Sequence, residues 1–310
     1  MAEPITLGSD ALPEQDSVDS ARQDVRPALT LIPAWLPQWL AVASAWLIMR
    51  PYRGIVHDAR LYIQFTVFSD IPSFRANDLL IANDNQMSRS VYVFVLRPLI
   101  DVFGIAGAAI VATFGGLAAW VAGIAGLGRS LFGRDWWVLV VIAPAFPAHW
   151  GPLFALAESF AAPRALAEGL ALGALALALA NRFGFAAALV GAAMLVHPLV
   201  ALPAVAVVVV LAAYRWNRLV PVLVIGGVVA VIAALVDPLG IAGTESFDAQ
   251  WTEIIAGRAF VVFPGEWWVR SWLLTLFAFA MASLPLWTRT DRPIRRFAAS
   301  SMIVAAVGLG

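Results

Sequence analysis

The chain has 310 residues, 61% of them hydrophobic and 13% charged, with a mean hydropathy of +0.83. Soluble domains carry roughly 25% charged residues, so this composition excludes an ordinary soluble protein and points to an integral membrane one. A net charge of zero excludes a polyanion-binding surface, so nucleic acid is not an expected partner, and the absence of cysteine excludes disulfides, thiol catalysis and cysteine metal sites.

Residues 1–30 are polar and acidic, with no basic stretch ahead of the first apolar run. A disordered cytoplasmic tail is expected there rather than a cleavable signal peptide, followed by a membrane domain over 31–310. The first apolar segment, 31–49, carries Pro33 and Pro37 near its start, where a missing N–H costs nothing. The polar stretch 50–89 holds an amphipathic piece, 59–68, with Leu61, Phe65 and Phe68 at helical spacing, which predicts a helix along the membrane surface. Residues 90–103 are apolar but interrupted by Arg97-Pro98 and Asp101, and read as a second surface helix. Clearer segments follow at 106–127, 136–149, 165–180, 185–196, 199–213, 219–236 and 272–286, with a second polar stretch, 237–270, before the last. An apolar run begun at Phe297 is unfinished at Gly310, so the chain is expected to continue beyond it. The fold class is therefore an all-α polytopic transmembrane bundle of about 8–9 membrane segments with amphipathic surface helices in the first outer loop.

Arginines sort by side. They occupy the short gaps at 129–134, 182, 215–218 and 289–296, whereas His57, His149 and His197 sit near the opposite segment ends. The positive-inside rule then predicts a multi-pass protein of the inner (plasma) membrane with a cytoplasmic N-terminus. The rival topology drives Arg97 and Asp101 into hydrocarbon, at ~2.5–3.5 kcal/mol for a mid-membrane charge. Residues 185–213 would span about 44 Å as one helix, too long for one upright crossing. A pair bent at His197-Pro198 keeps the arginines on one side.

Chemistry can collect in two places. Arg53, His57, Asp58 and Arg60 lie within eight residues just past the first segment. A carboxylate there can take a proton from a hydroxyl and arginines can clamp phosphate; equally, the charges can pair and anchor the helix end. The second place is Glu158, then Pro163-Arg164, then Glu168. Pro163 opens a helix, and the macrodipole disfavours a cation in its first turn. Arg164 is therefore explained either by an anion held at that helix end or by an ion pair with Glu158 or Glu168. His149 and His197 read as structural residues at helix ends. The outer stretch with Glu245, Asp248, Trp251, Glu253, Arg258, Glu266, Trp267 and Arg270 reads as an interfacial helix or a sugar-binding surface. No Walker A loop, G-x-G-x-x-G, H-E-x-x-H or G-x-S-x-G is found, so nucleotide-driven transport has no support.

With its first crossing, its outer loop opening on His57-Asp58 and its two surface helices, the chain resembles the C-type membrane glycosyltransferases, which draw sugars from polyprenyl-phosphate carriers. It looks closest to a family of uncharacterised bacterial polytopic proteins, through Gly54 to Tyr62 (GIVHDARLY), Glu158 to Glu168 (ESFAAPRALAE) and His197-Pro198. The resemblance implies Asp58 as general base for an inverting transfer at the extracytoplasmic face. His57, Arg60, Glu158, Arg164 and His197 would bind substrate, and the partners would be the bilayer and a polyprenyl-phosphate-linked sugar. No second acidic pair of the metal-dependent type aligns, so neither a metal nor another cofactor is expected. Two further readings stand beside it: a transporter or flippase using Glu158, Arg164, Glu168 and the His197-Pro198 bend, and a non-catalytic partner in envelope assembly.

Overall fold

The computed structural model describes residues 35–77, 87, 90–143, 156–216, 250, 253–254, 269–287 and 291–309. His149, the segment 219–236 and nearly all of the second polar stretch lie outside them. Two compact units divide the chain, Met1–Ser44 and Ala45–Gly310. Of the first, residues 35–44 are described and are helical.

Every regular element among the described residues is helical: α1 (Trp35–Met49), α2 (Asp58–Phe68), α3 (Pro72–Asn77), α4 (Val91–Phe132), α5 (Trp136–Ile142), α6 (Pro163–Leu179), α7 (Phe183–Val196), α8 (Pro198–Arg215), α9 (Val269–Trp287) and α10 (Arg292–Leu309). Two apolar helical runs, Val91–Ile142 and Pro198–Arg215, are long enough to cross a membrane; Leu36–Met49, Phe183–Val196 and Thr275–Trp287 are apolar but shorter.

The core is built of small residues. Ala171, Ala174, Ala193, Ala201 and Ala204 pack together between α6, α7 and α8. Gly123 of α4 and Gly169 of α6 meet so closely that a Cβ on either would strike the other helix's backbone. Small residues let helix backbones approach where no hydrophobic effect drives them together. The outward side chains are the large ones: Phe94, Val102, Phe185, Leu199 and Leu273 are each more than half exposed.

Helix directions follow from these contacts. Gly116 faces Ala165 and Gly126 faces Ala176, so α4 and α6 run parallel. Between them α5 turns back along α4: Trp136 packs on Gly128, while the Val140 carbonyl accepts from Trp46 Nε1 (3.2 Å), whose ring lies 4.9 Å from that of Trp120. The α6–α7 turn closes at Asn181 (φ 60), and Ala178 then meets Ala186. At His197 (φ −156, ψ 95) the chain reverses again, so that Ala193 faces Ala201 and Ala186 lies with Val208. The bent pair expected at His197-Pro198 is present. Proline at the first position of α8 needs no N–H partner, and its ring cannot follow an uninterrupted helix.

The stretches 90–103 and 106–127, read as separate segments, are two helices that follow one another across a kink at Gly104 (φ 66, ψ 173). Arg97 is held outside the helix contacts by Asp70 (2.8 Å) and the Thr66 carbonyl (2.7 Å). The buried face of α2 is Ala59, Tyr62, Ile63 and Thr66, against Tyr92 and Leu96 of α4, while Leu61, Phe65 and Phe68 stay partly exposed. Tyr62 and Tyr92 meet edge to face at 5.6 Å, a geometry aromatic pairs favour.

Candidate functional site

The parallel and antiparallel runs gather the N-terminal ends of α2, α4, α6 and α8 at one end of the bundle. Asp58 opens α2, Ser90 caps α4, Pro163-Arg164 opens α6, and His197 precedes α8. Hydrogen bonds tie these ends together. Ser90 Oγ donates to the Val196 carbonyl (2.7 Å) and accepts from the Tyr92 N–H (3.2 Å), and the Arg53 N–H donates to the Ser159 carbonyl (2.9 Å).

Arg164 is the hub. Its Nε and Nη2 grip the Glu158 carboxylate side-on, at 2.8 Å to Oε2 and 2.7 Å to Oε1. Its Nη1 meets Asp58 Oδ2 at 3.0 Å. The two partners differ in exposure: the Glu158 side chain is 4% exposed, Arg164 11% and Asp58 40%. Burial lifts the Glu158 carboxyl above the usual carboxylate range, with the Arg164 fork acting against it. Two carboxylates against one guanidinium leave an excess of negative charge. The N-terminal ends of α2, which Asp58 opens, and of α6, which carries Arg164, add partial positive charge against it.

His57 is exposed at the rim, with its ring 5.9 Å from Phe160. His197 is buried, and burial followed by the charge of Arg164 holds its imidazole below the ordinary histidine value. Backbone strain brackets the cluster: His57 (φ 47) and Ala157 (φ 52) are non-glycine residues with positive φ, each one residue before a cluster carboxylate. Such conformations cost about 1–3 kcal/mol and persist where surrounding structure enforces them.

Five of the six residues singled out from the sequence are thus brought together: His57, Asp58, Glu158, Arg164 and His197. Arg60 is not; it is exposed and its Nε donates back to the Ile55 carbonyl at 3.3 Å, bracing the loop. Arg164 is paired with Glu158. Glu168 Oε2 accepts from Trp120 Nε1 (2.8 Å) and the Ala157 N–H (2.9 Å). Trp120 escaped the sequence reading because nothing local marks it; the glycines at 116 and 123 on either side were the signal that α4 approaches another helix there.

The opposite end of the bundle is basic. Arg129, Arg134, Arg182 and Arg215 are all exposed there, with Arg129 4.6 Å over the Trp136 ring and Phe183 5.0 Å from Trp216. Along the 17 residues of α6 the two ends are separated by about 26 Å. No protein-family model, curated protein or solved structure matches the chain.

Proposed function

We propose that the protein is a multi-pass inner-membrane glycosyltransferase that takes a sugar from a polyprenyl-phosphate carrier at the extracytoplasmic face, with inversion. Its N-terminus is cytoplasmic and its segments number about 8–9. An alanine- and glycine-lined interior beneath a Leu/Phe/Val exterior supports the bilayer as its solvent. A bundle length close to the ~30 Å hydrocarbon thickness supports a basic end on the cytoplasmic side and the Asp58–Arg164–Glu158 cluster on the other.

The observation that carries the reading is the unequal sharing of Arg164. Glu158 is a buried, two-point partner that fixes the guanidinium; Asp58 is a half-exposed, one-point partner that can be exchanged. A phosphodiester arriving at the converged helix ends takes the place of Asp58 on Nη1. Asp58 is then freed beside the incoming acceptor. It accepts the proton of the acceptor hydroxyl as that oxygen bonds to the anomeric carbon. The bond from that carbon to the phosphate oxygen breaks, its electron pair leaves with the polyprenyl phosphate, and Arg164 stabilises the departing charge. His57 at the rim and buried His197 line the two sides of this path.

The test is transfer of radiolabelled sugar from polyprenyl-phosphate monosaccharides in membranes containing the chain. Asp58→Asn is expected to abolish transfer while expression and insertion stay normal; retained transfer removes Asp58 as base. The bend at His197-Pro198 beside the buried Glu158–Arg164 pair favours one second reading, a transporter of the same lipid-linked substrates. Uptake into proteoliposomes with no covalent product would select it.

A further inference from the structure

Glu168 lies one helical turn below Arg164, within reach of the charges of Arg164 and Glu158. A single oxygen, Oε2, receives both the Trp120 indole N–H from α4 and the backbone N–H of Ala157. Ala157 is an unusual residue to find at φ 52, because its Cβ makes that conformation costly and it has no side-chain polar group to compensate locally. The residue after it is Glu158. Turning Ala157 back to negative φ would swing the following peptide and take the Glu158 carboxylate off Arg164.

We infer that Glu168 is a positioning residue: its two hydrogen bonds hold Ala157 in the left-handed conformation and so aim Glu158 at Arg164. Trp120 is its counterpart on α4, and the Trp46 ring, tilted against Trp120 at 4.9 Å, extends the support to the end of α1 and, through Val140, to α5. The consequence for sugar transfer rests on the proposed function. The geometric claim does not, and its test needs no substrate.

The chain is naturally free of cysteine, and Ser159, 5% exposed and adjacent to Glu158, is a suitable reporter. Ser159→Cys is made in the full-length protein in detergent, and the maleimide labelling rate of its thiol is followed in three further backgrounds. Glu168→Ala removes the acceptor and leaves two donors without their partner; labelling is expected about tenfold faster, the factor that ~1.4 kcal/mol of lost bonding gives. Glu168→Gln keeps a carbonyl oxygen able to accept both bonds and is expected to label near the parental rate. Trp120→Phe deletes one of the two bonds and is expected to fall between them. Unchanged labelling in Glu168→Ala overturns the inference, and so does labelling of Glu168→Gln as fast as that of Glu168→Ala, which would make charge rather than bonding the cause. Should Glu168→Ala fail to fold, Trp120→Phe decides, an unchanged rate counting against the latch. Loss of sugar transfer in the Ala variant together with its rescue by Gln would extend the role to the reaction. An inactive parent with the expected labelling pattern would sink the proposed activity and leave the latch standing.

Discussion

Removing the charge of Glu158 and removing that of Asp58 should have very different consequences, although each strips one carboxylate from the same arginine. In Glu158→Gln a guanidinium only 11% exposed loses a two-point partner only 4% exposed. Breaking a buried pair in this way costs about 3–5 kcal/mol, because the remaining charge stays largely out of water with only the one-point contact of Asp58 against it. Asp58 meets Arg164 through one contact and is 40% exposed, which places its pairing with surface ion pairs worth ~0–1 kcal/mol. Asp58→Asn should therefore be milder by about 2–5 kcal/mol. At ~1.5 °C per kcal/mol for a chain of 310 residues, the unfolding midpoint should fall by at least about 4 °C for Glu158→Gln and by at most about 2 °C for Asp58→Asn. Thermal unfolding in a mild detergent, followed by fluorescence, measures both. Equal losses, or a larger one for Asp58→Asn, would refute the division into a fixed and an exchangeable partner.

Three more predictions concern separate parts of the structure. Burial, then Arg164, depresses the His197 imidazole, so the folded protein binds fewer protons there than the unfolded chain, whose histidine titrates near ~6.5. Stability should be flat in this respect above about pH 6.5 and should fall as the pH drops below it; His197→Gln should flatten that acid limb of the unfolding midpoint, and an unchanged limb would exclude His197 as its source. Gly169→Ala sets a methyl group against the Ala119 and Trp120 backbone and should lower stability by about 1–3 kcal/mol through overpacking. Gly115→Ala, with open space around its Cβ, should be neutral or slightly stabilising in the same unfolding assay.

Much of the arrangement was legible because it depends on short-range rules. Pro163 and Pro198 each open a helix, as a residue without an N–H must, and the chain reverses at His197. Among the described residues, His57 and His197 lie at one end of the bundle and Arg129, Arg134, Arg182 and Arg215 at the other, since short turns leave little choice of helix direction. Residues far apart in sequence, His57, Asp58, Glu158, Arg164 and His197, meet for that reason. What the sequence hid depends on which atoms touch. The i, i+4 spacing of Arg164 and Glu168 suggests a pair, yet Glu168 is drawn to Trp120 on another helix and Arg164 to two residues outside its own. Strain at His57 and Ala157 is equally invisible, because tertiary hydrogen bonding and not residue type enforces it.

The central claim is that the acidic cluster and the arginine-rich turns lie on opposite faces of the membrane. Single cysteines introduced at Asp58 and at Asn181 in this cysteine-free chain, probed in intact cells with a membrane-impermeant maleimide, test it most directly. The thiol of Asp58→Cys should label from outside, and that of Asn181→Cys only after the membrane is permeabilised. Labelling of both from the same side, or of the Asp58→Cys thiol only after permeabilisation, would contradict the orientation and, with it, catalysis at the extracytoplasmic face.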